Sequence, residues 1–220
     1  VALAAAVGCT ALATRPTGPP GRFTLVRQQL VFHSDFALGA HDRLLDDLTA
    51  LRAELSRQLE LPGSDAPIDV YLFESPDRFE RFVRARLGSP PARRAYFVHS
   101  DAGLEVYAQW GDNLSEDLRH EVTHGYLHAA FPELPLWLDE GLAEYFEVGP
   151  ARRGLNEPHR QRLLAGLAAG QWRPDLRRLE RLDPGGEMSQ DDYAESWAWI
   201  HFLLNGRGEV RDALRAYLRE

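Results

Sequence analysis

Leu44, Leu48, Leu51, Leu55 and Leu59 recur at intervals of three and four, the apolar stripe of an amphipathic helix that Pro62-Gly63 closes. Ahead of it, FTLVRQQLVFHS (23–34) is rich in β-formers and predicts one strand or a hairpin. IDVYLF (68–73) is short and nearly all apolar, which predicts a strand. Pro76 opens a second helix carrying Phe79, Phe82, Val83 and Leu87 on one side, with Gly88 placed as its C′ residue. RRAYFVHS and LEVYAQW flank Asp101-Ala102-Gly103 and predict two adjacent strands joined by a tight turn. The order of elements in this half is βαβαββ.

The pattern changes at Gly111, beyond which only the helical period recurs. Asn113 with Glu116 three residues on predicts a capping box, and Leu114, Leu118, Val122 and Leu127 carry an apolar pattern to Phe131-Pro132. A second helix is expected from Pro135 through LPLWLDEGLAEYFEV to Gly149-Pro150, with Trp137, Leu138, Leu142 and Tyr145 on its buried side. Further helices are predicted over 156–169, 191–204 and 209–218, with Arg/Asp/Pro-rich connections over 171–190. The fold class is therefore α+β: an N-terminal mixed α/β lobe at 22–112, then a helical lobe at 113–220, together one domain.

Composition narrows the function classes. A chain of 220 residues, 44% hydrophobic and 26% charged, can bury a sizeable core. Its net charge of -8 disfavours nucleic acid as a partner, since phosphate binding needs a basic footprint. Cys9 is the only cysteine, which leaves no internal disulfide and no thiolate zinc site. The run VALAAAVGC followed by the tether TRPTGPPG (14–21) resembles the tail of a bacterial lipoprotein signal. That resemblance implies that residues 1–21 are a leader remnant and tether. It further implies export to the cell envelope and membrane attachment through a lipid on Cys9. No other run approaches the roughly 20 apolar residues of a membrane span.

Candidate chemistry is concentrated in HEVTH (120–124), in the middle of the predicted helix at 113–131. Residues four apart on a helix lie about 40° apart in azimuth and about 6 Å apart along the axis. His120 and His124 therefore project from one face and can reach one ion, while Glu121 is turned about 100° to stand beside it. A carboxylate there is placed to take a proton from a water that zinc has acidified. A catalytic zinc site needs a third protein ligand. His128 continues the series but sits about 12 Å along the axis from His120, which makes it a helix-face or second-tier histidine rather than a ligand. The following helix offers Glu140 and Glu144, again four apart, after a short turn that returns the chain. Gly141 beside Glu140 permits close helix contact and favours Glu140 as the ligand. Glu144 would then accept the spare N–H of a ligating histidine and fix its tautomer.

HEVTH followed by PLWLDEGLAEYFE resembles the gluzincin metallopeptidases, whose third zinc ligand is a glutamate on a downstream helix. The nearest pattern is their peptidase-MA-like branch, which includes bacterial envelope proteins. The family stretch Trp-Leu-x-Glu-Gly-x-Ala maps onto Trp137, Leu138, Glu140, Gly141 and Ala143. The likeness covers 23–205 in layout and is specific over 120–147. It implies a zincin-like fold with one zinc ion held by His120, His124 and Glu140, and hydrolysis of a peptide or protein substrate with Glu121 as general base. It also implies that the strand before the zinc helix, LEVYAQW (104–110), is an exposed edge that pairs with extended peptide. A carbonyl oxygen that gains charge needs a donor, and the family takes one from its later helices. Tyr193 in DDYAESWAWIHFL resembles that segment, with His201 the weaker candidate. No Gly-Ala-Met-Glu-Asn stretch is present, so aminopeptidase specificity is not implied.

Two other readings compete. One is a non-catalytic envelope module that keeps the gluzincin frame and binds a peptide or partner protein without cutting it. The other is a helical core with a chance motif, which the second motif argues against.

Overall fold

The computed structural model describes residues 18–88, 93–131 and 133–219, so Cys9 and the leader-like run lie outside the described residues. Strands β1 (Phe23–Arg27) and β2 (Leu30–Ser34) form an antiparallel hairpin around Gln28, whose φ is 53°. Helix α1 (Asp42–Leu59) leads to β3 (Ile68–Phe73), which lies parallel to β2. Helix α2 (Pro76–Leu87) follows, then the hairpin β4 (Ala95–Ser100) and β5 (Gly103–Gln109). The second half is helical: α3 (Leu114–Ala130), α4 (Leu136–Phe146), α5 (Glu157–Ala168), α6 (Leu176–Leu179), α7 (Gln190–Asn205) and α8 (Gly208–Tyr217). The molecule is thus α+β, with one mixed five-stranded sheet in the order β1-β2-β3-β5-β4.

That order corrects one expectation. LEVYAQW is not the edge of the sheet; β5 is flanked by β3 and β4, and the edge strand is β4. Val106 and Ala108 are fully buried, which suits an interior strand, and β5 pairs in parallel with the nearly all-apolar β3. The turn at 101–102, with Gly103 at φ 126°, folds β4 outward as the last strand.

Strand alternation divides the sheet between two cores. Leu30, Phe32, Ile68, Val70, Leu72, Val106 and Ala108 pack on one face with the leucines of α1 and with Leu118, Val122 and Tyr126 of α3. Phe73 and Tyr107 turn to the other face, where Phe79, Phe82 and Val83 of α2 cover them. Along α1 the buried stripe begins at Leu45 rather than Leu44, which is half-buried at its margin. Gly88 ends α2 with φ 87°, and its N–H bonds Arg84 O, as its position predicted.

No capping box forms at Asn113. Its backbone sits near φ -97°, ψ 8°, outside the extended conformation usual for a cap, and its side chain makes no cap hydrogen bond among the described residues. The reciprocal box occurs instead at α7, between Ser189 and Asp192.

Buried Arg119 in α3 ties three helices together. It pairs with Asp47 and Glu54 of α1, and its Nε donates to Phe146 O at the end of α4, 2.9 Å away. Helix α4 is held from behind by α7. A Cβ added at Gly141 would lie 2.8 Å from Ser196 O and 2.9 Å from Ile200 Cγ1, so only glycine allows this approach. Among the described residues no helix is long and apolar enough to cross a membrane.

Gly141→Ala is expected to cost about 1–3 kcal/mol of stability through overpacking against backbone. Thermal or urea denaturation reads this directly, and an unchanged midpoint would show that α4 and α7 can part without loss.

Candidate metal centre and its cleft

Helices α3 and α4 run antiparallel, as their pairings show. His120 near the start of α3 meets Glu147 just past α4, whereas His128 near its end meets Asp139 in the first turn of α4. This brings His120, His124 and Glu140 to one point. The site lies beneath the edge of the sheet, where the ring of Phe97 in β4 stacks 5.8 Å from that of His124.

The orientation of each imidazole follows from its outer nitrogen. His120 Nδ1 is 2.9 Å from Glu147 Oε2, and His124 Nδ1 is 2.8 Å from Asp139 Oδ1. Each Nδ1 donates to its carboxylate, so each ring, once neutral, presents its Nε2 lone pair inward. Those Nε2 atoms are 3.3 Å apart, and Glu140 Oε2 lies 3.5 Å from that of His120 and 3.7 Å from that of His124. Glu140 Oε2 is buried and has no hydrogen-bond partner among the described residues. Three converging electron-pair donors with an orphaned oxygen among them fit a tetrahedral cation. Bonds of about 2.0–2.1 Å imply ligand–ligand edges of about 3.3–3.4 Å, close to this triangle.

Glu144 is not the carboxylate that orients a histidine of the triangle. Its Oε2 accepts from His159 Nε2 at 2.7 Å and from Asn156 Nδ2 at 3.3 Å. Glu147, one turn further along the same stripe, takes the expected place because His120 sits at the start of an antiparallel α3, opposite the far end of α4. Asn156 Nδ2 in turn donates to Glu147 Oε1 at 2.7 Å. His128 stands outside the triangle and donates to Asp139 Oδ2 at 3.0 Å, so Asp139 bridges two histidines. The helical stripe Glu140, Glu144, Glu147 was visible in the sequence; which of its members faced His120 depended on where α4 ends.

Glu121 is 8% exposed and belongs to the walls of two adjoining hollows. The larger, about 300 Å³, also presents His120, Glu144, Glu147, Arg93 and Tyr193. The smaller, about 130 Å³, presents His124, Glu140, Arg93, Tyr96 and Phe97. Glu121 thus borders the metal centre from both sides. Tyr193 is on the cleft wall, and its oxygen accepts from Arg93 Nη2 at 2.7 Å. His201 is elsewhere, its ring 6.0 Å from that of Tyr145 and 5.3 Å from that of Trp197. Arg93 had no signal in the sequence, because it belongs to no periodic stripe and reaches the cleft only through the edge position of β4.

No known protein-family profile matches the chain, and no curated protein is significantly similar to it.

The electrostatics follow from this packing. Burial drives charge off both imidazoles, but the carboxylates outweigh it. Glu140 and Glu147 raise His120 well above its ordinary value, and Asp139 and Glu140 raise His124 to about 10. Burial likewise pushes Glu140 up, yet the two histidines hold it well below the usual carboxylate range. The metal-free protein therefore keeps protons in the cluster at neutral pH. Their contribution to stability is fully present below a histidine's unfolded value of 6.5 and is lost as pH rises toward about 10.

A cation at the triangle must displace at least one such proton. Calorimetric titration with Zn2+ at pH 7, repeated in buffers of different ionisation enthalpy, is expected to show one or more protons released per ion and an affinity that rises with pH. A pH-independent affinity without proton release would remove the triangle as the binding site.

Proposed function

We propose that the chain is a zinc-dependent peptide hydrolase with a zincin-like fold, of the gluzincin type that HEVTH and WLDEGLA resemble. The observation that carries the proposal is the triangle of His120 Nε2, His124 Nε2 and Glu140 Oε2, with Glu121 beside it in an open cleft. Two imidazoles and a carboxylate suit zinc among the common divalent ions. When bound, zinc supplies Lewis acidity, acidifying a water and polarising the scissile carbonyl.

The chain's own groups then have separate tasks. Glu121 takes a proton from the attacking water and delivers it to the leaving amine. Tyr193 supplies a hydrogen bond to the carbonyl oxygen as charge develops there. Arg93 can only donate, so the phenol oxygen accepts from it and the phenolic proton stays free for the substrate. Burial and the charge of Glu140 raise the Tyr193 phenol above its ordinary value despite the neighbouring Arg93, which keeps that proton in place. β4 is the last strand of the sheet and borders the cleft, and an extended peptide would add alongside it as a further strand. The lipoprotein-like run ending at Cys9 assigns this activity to the cell envelope as part of the same proposal.

A structural metal site has no use for a carboxylate at Glu121, so that residue separates enzyme from binding module. Glu121→Gln is expected to bind zinc stoichiometrically and to lose peptide cleavage by a factor of about 100 or more. Glu140→Ala is expected to lose zinc itself. Zinc content and cleavage of a mixed peptide library measure both. Stoichiometric zinc without cleavage in the wild type would favour the non-catalytic module, and full zinc affinity in Glu140→Ala would refute the third ligand.

A further inference from the structure

The charged groups of the cleft are almost all engaged. Asp117 holds Arg94 through two contacts of 2.8 Å. Glu144 accepts from His159 and Asn156, Glu147 from His120 and Asn156, and Asp139 from His124 and His128. Glu140 belongs to the metal triangle. Besides Glu140, whose Oε2 is orphaned at the triangle, two groups remain without a charged hydrogen-bond partner among the described residues, Glu121 and Arg93.

Arg93 stands two residues before β4 and borders both hollows, so it marks the junction between them. Its guanidinium carbon is 5.9 Å from the ring centre of Tyr193, and among the described residues its side-chain hydrogen bond goes to a neutral phenol. The residue is exposed, so its remaining donors are accessible from the cleft. A guanidinium presents five N–H donors in a planar fork that matches a carboxylate. With Glu140 at the triangle, Glu121 at the reacting water and every other cleft acid paired, the group left to recognise a charge is Arg93, and it takes an anion.

We propose that Arg93 makes the cleft selective for peptides that carry a carboxylate beside the bond presented to Glu121, whether an acidic side chain or the peptide's own carboxy terminus. The inference rests on reading the cleft as a peptide site. It goes further by naming the substrate class and the group that reads it. Glu121 lies within Coulombic range of Arg93 without bonding it, so a substrate carboxylate on Arg93 leaves the base free. Tyr193, held by the same guanidinium, turns its proton to the adjacent carbonyl oxygen.

The test uses zinc-loaded Glu121→Gln protein, which reports binding independently of turnover. Matched peptides are titrated by fluorescence anisotropy: free carboxy terminus against amide, and internal Glu against Gln with the terminus amidated. One of the two carboxylate sources is expected to bind about tenfold or more tighter than its neutral twin, as a charge-assisted fork contact should. Adding Arg93→Gln is expected to close that gap, while Arg93→Lys retains part of it. Equal affinity of both pairs, no binding of any peptide, or a gap that survives Arg93→Gln would each overturn the proposal. With Glu121 restored, Arg93→Gln is expected to lower kcat/KM about tenfold or more further for the carboxylate-bearing peptides than for their neutral twins, on top of any loss common to all peptides through Tyr193. An equal loss for every peptide would confine Arg93 to holding Tyr193 and end its role in selection. Arg93-dependent discrimination in a protein that never cleaves would sink the hydrolase reading and leave this inference standing.

Discussion

Two imidazoles four residues apart present their Nε2 lone pairs to one point only if something holds their opposite nitrogens, and Glu147 and Asp139 do so. The rest of the site depends on this pair of hydrogen bonds. They come from the two ends of α4, so they fix its register against α3 as well as the ring planes. With that register set, Glu140 is carried between the rings without freedom to choose another partner, and its Oε2 is left orphaned and buried. Burying an ionised carboxylate without compensation is costly, so the arrangement is stable only with a positive charge at the triangle. A divalent ion would provide it, and without one retained protons do.

The scaffold is built to keep α4 from yielding to that cost. Arg119 anchors its last carbonyl to α3 and α1 from one side, and Gly141 lets α7 press on its backbone from the other. The same approach of α7 places Tyr193 on the cleft wall, so one close helix contact sets both the position of the third donor and that of the phenol. Groups mounted on packed helices keep their geometry better than groups on loops, which is what electrostatic stabilisation of a transition state requires.

Much of this was legible before the structure because helical periodicity converts directly into azimuth. HEVTH had to place two imidazoles on one face, and the reach of a helix kept His128 away from His120; His128 pairs with Asp139. Gly141 could be read as a close-contact residue from its place beside Glu140. What the sequence did not carry were facts about chain ends and edges. Whether Glu144 or Glu147 faced His120 depended on the offset of two antiparallel helices, a tertiary quantity that intervals within either helix cannot supply. The edge strand was misassigned for a related reason: β4 and β5 are neighbours in a hairpin, and only the parallel pairing of β5 with β3 decides which of them is outermost. Asn113 had the composition of a cap without the backbone conformation that makes one.

The cleft's electrostatic asymmetry is a consequence of how its acids are used. Carboxylates outnumber cations near the triangle, yet all but one are committed to histidines, amides, Arg94 or the metal position, and a committed carboxylate offers little to a ligand. Arg93 is the reverse case, a full positive charge whose hydrogen-bond partner among the described residues is a phenol, fixed where the edge strand begins. An acidic protein with an acidic site can for this reason still favour an anionic partner at close range. Formal net charge governs long-range encounter and is screened over about 8–10 Å at physiological salt, whereas recognition within the cleft is decided by whichever group still has unused hydrogen-bonding capacity.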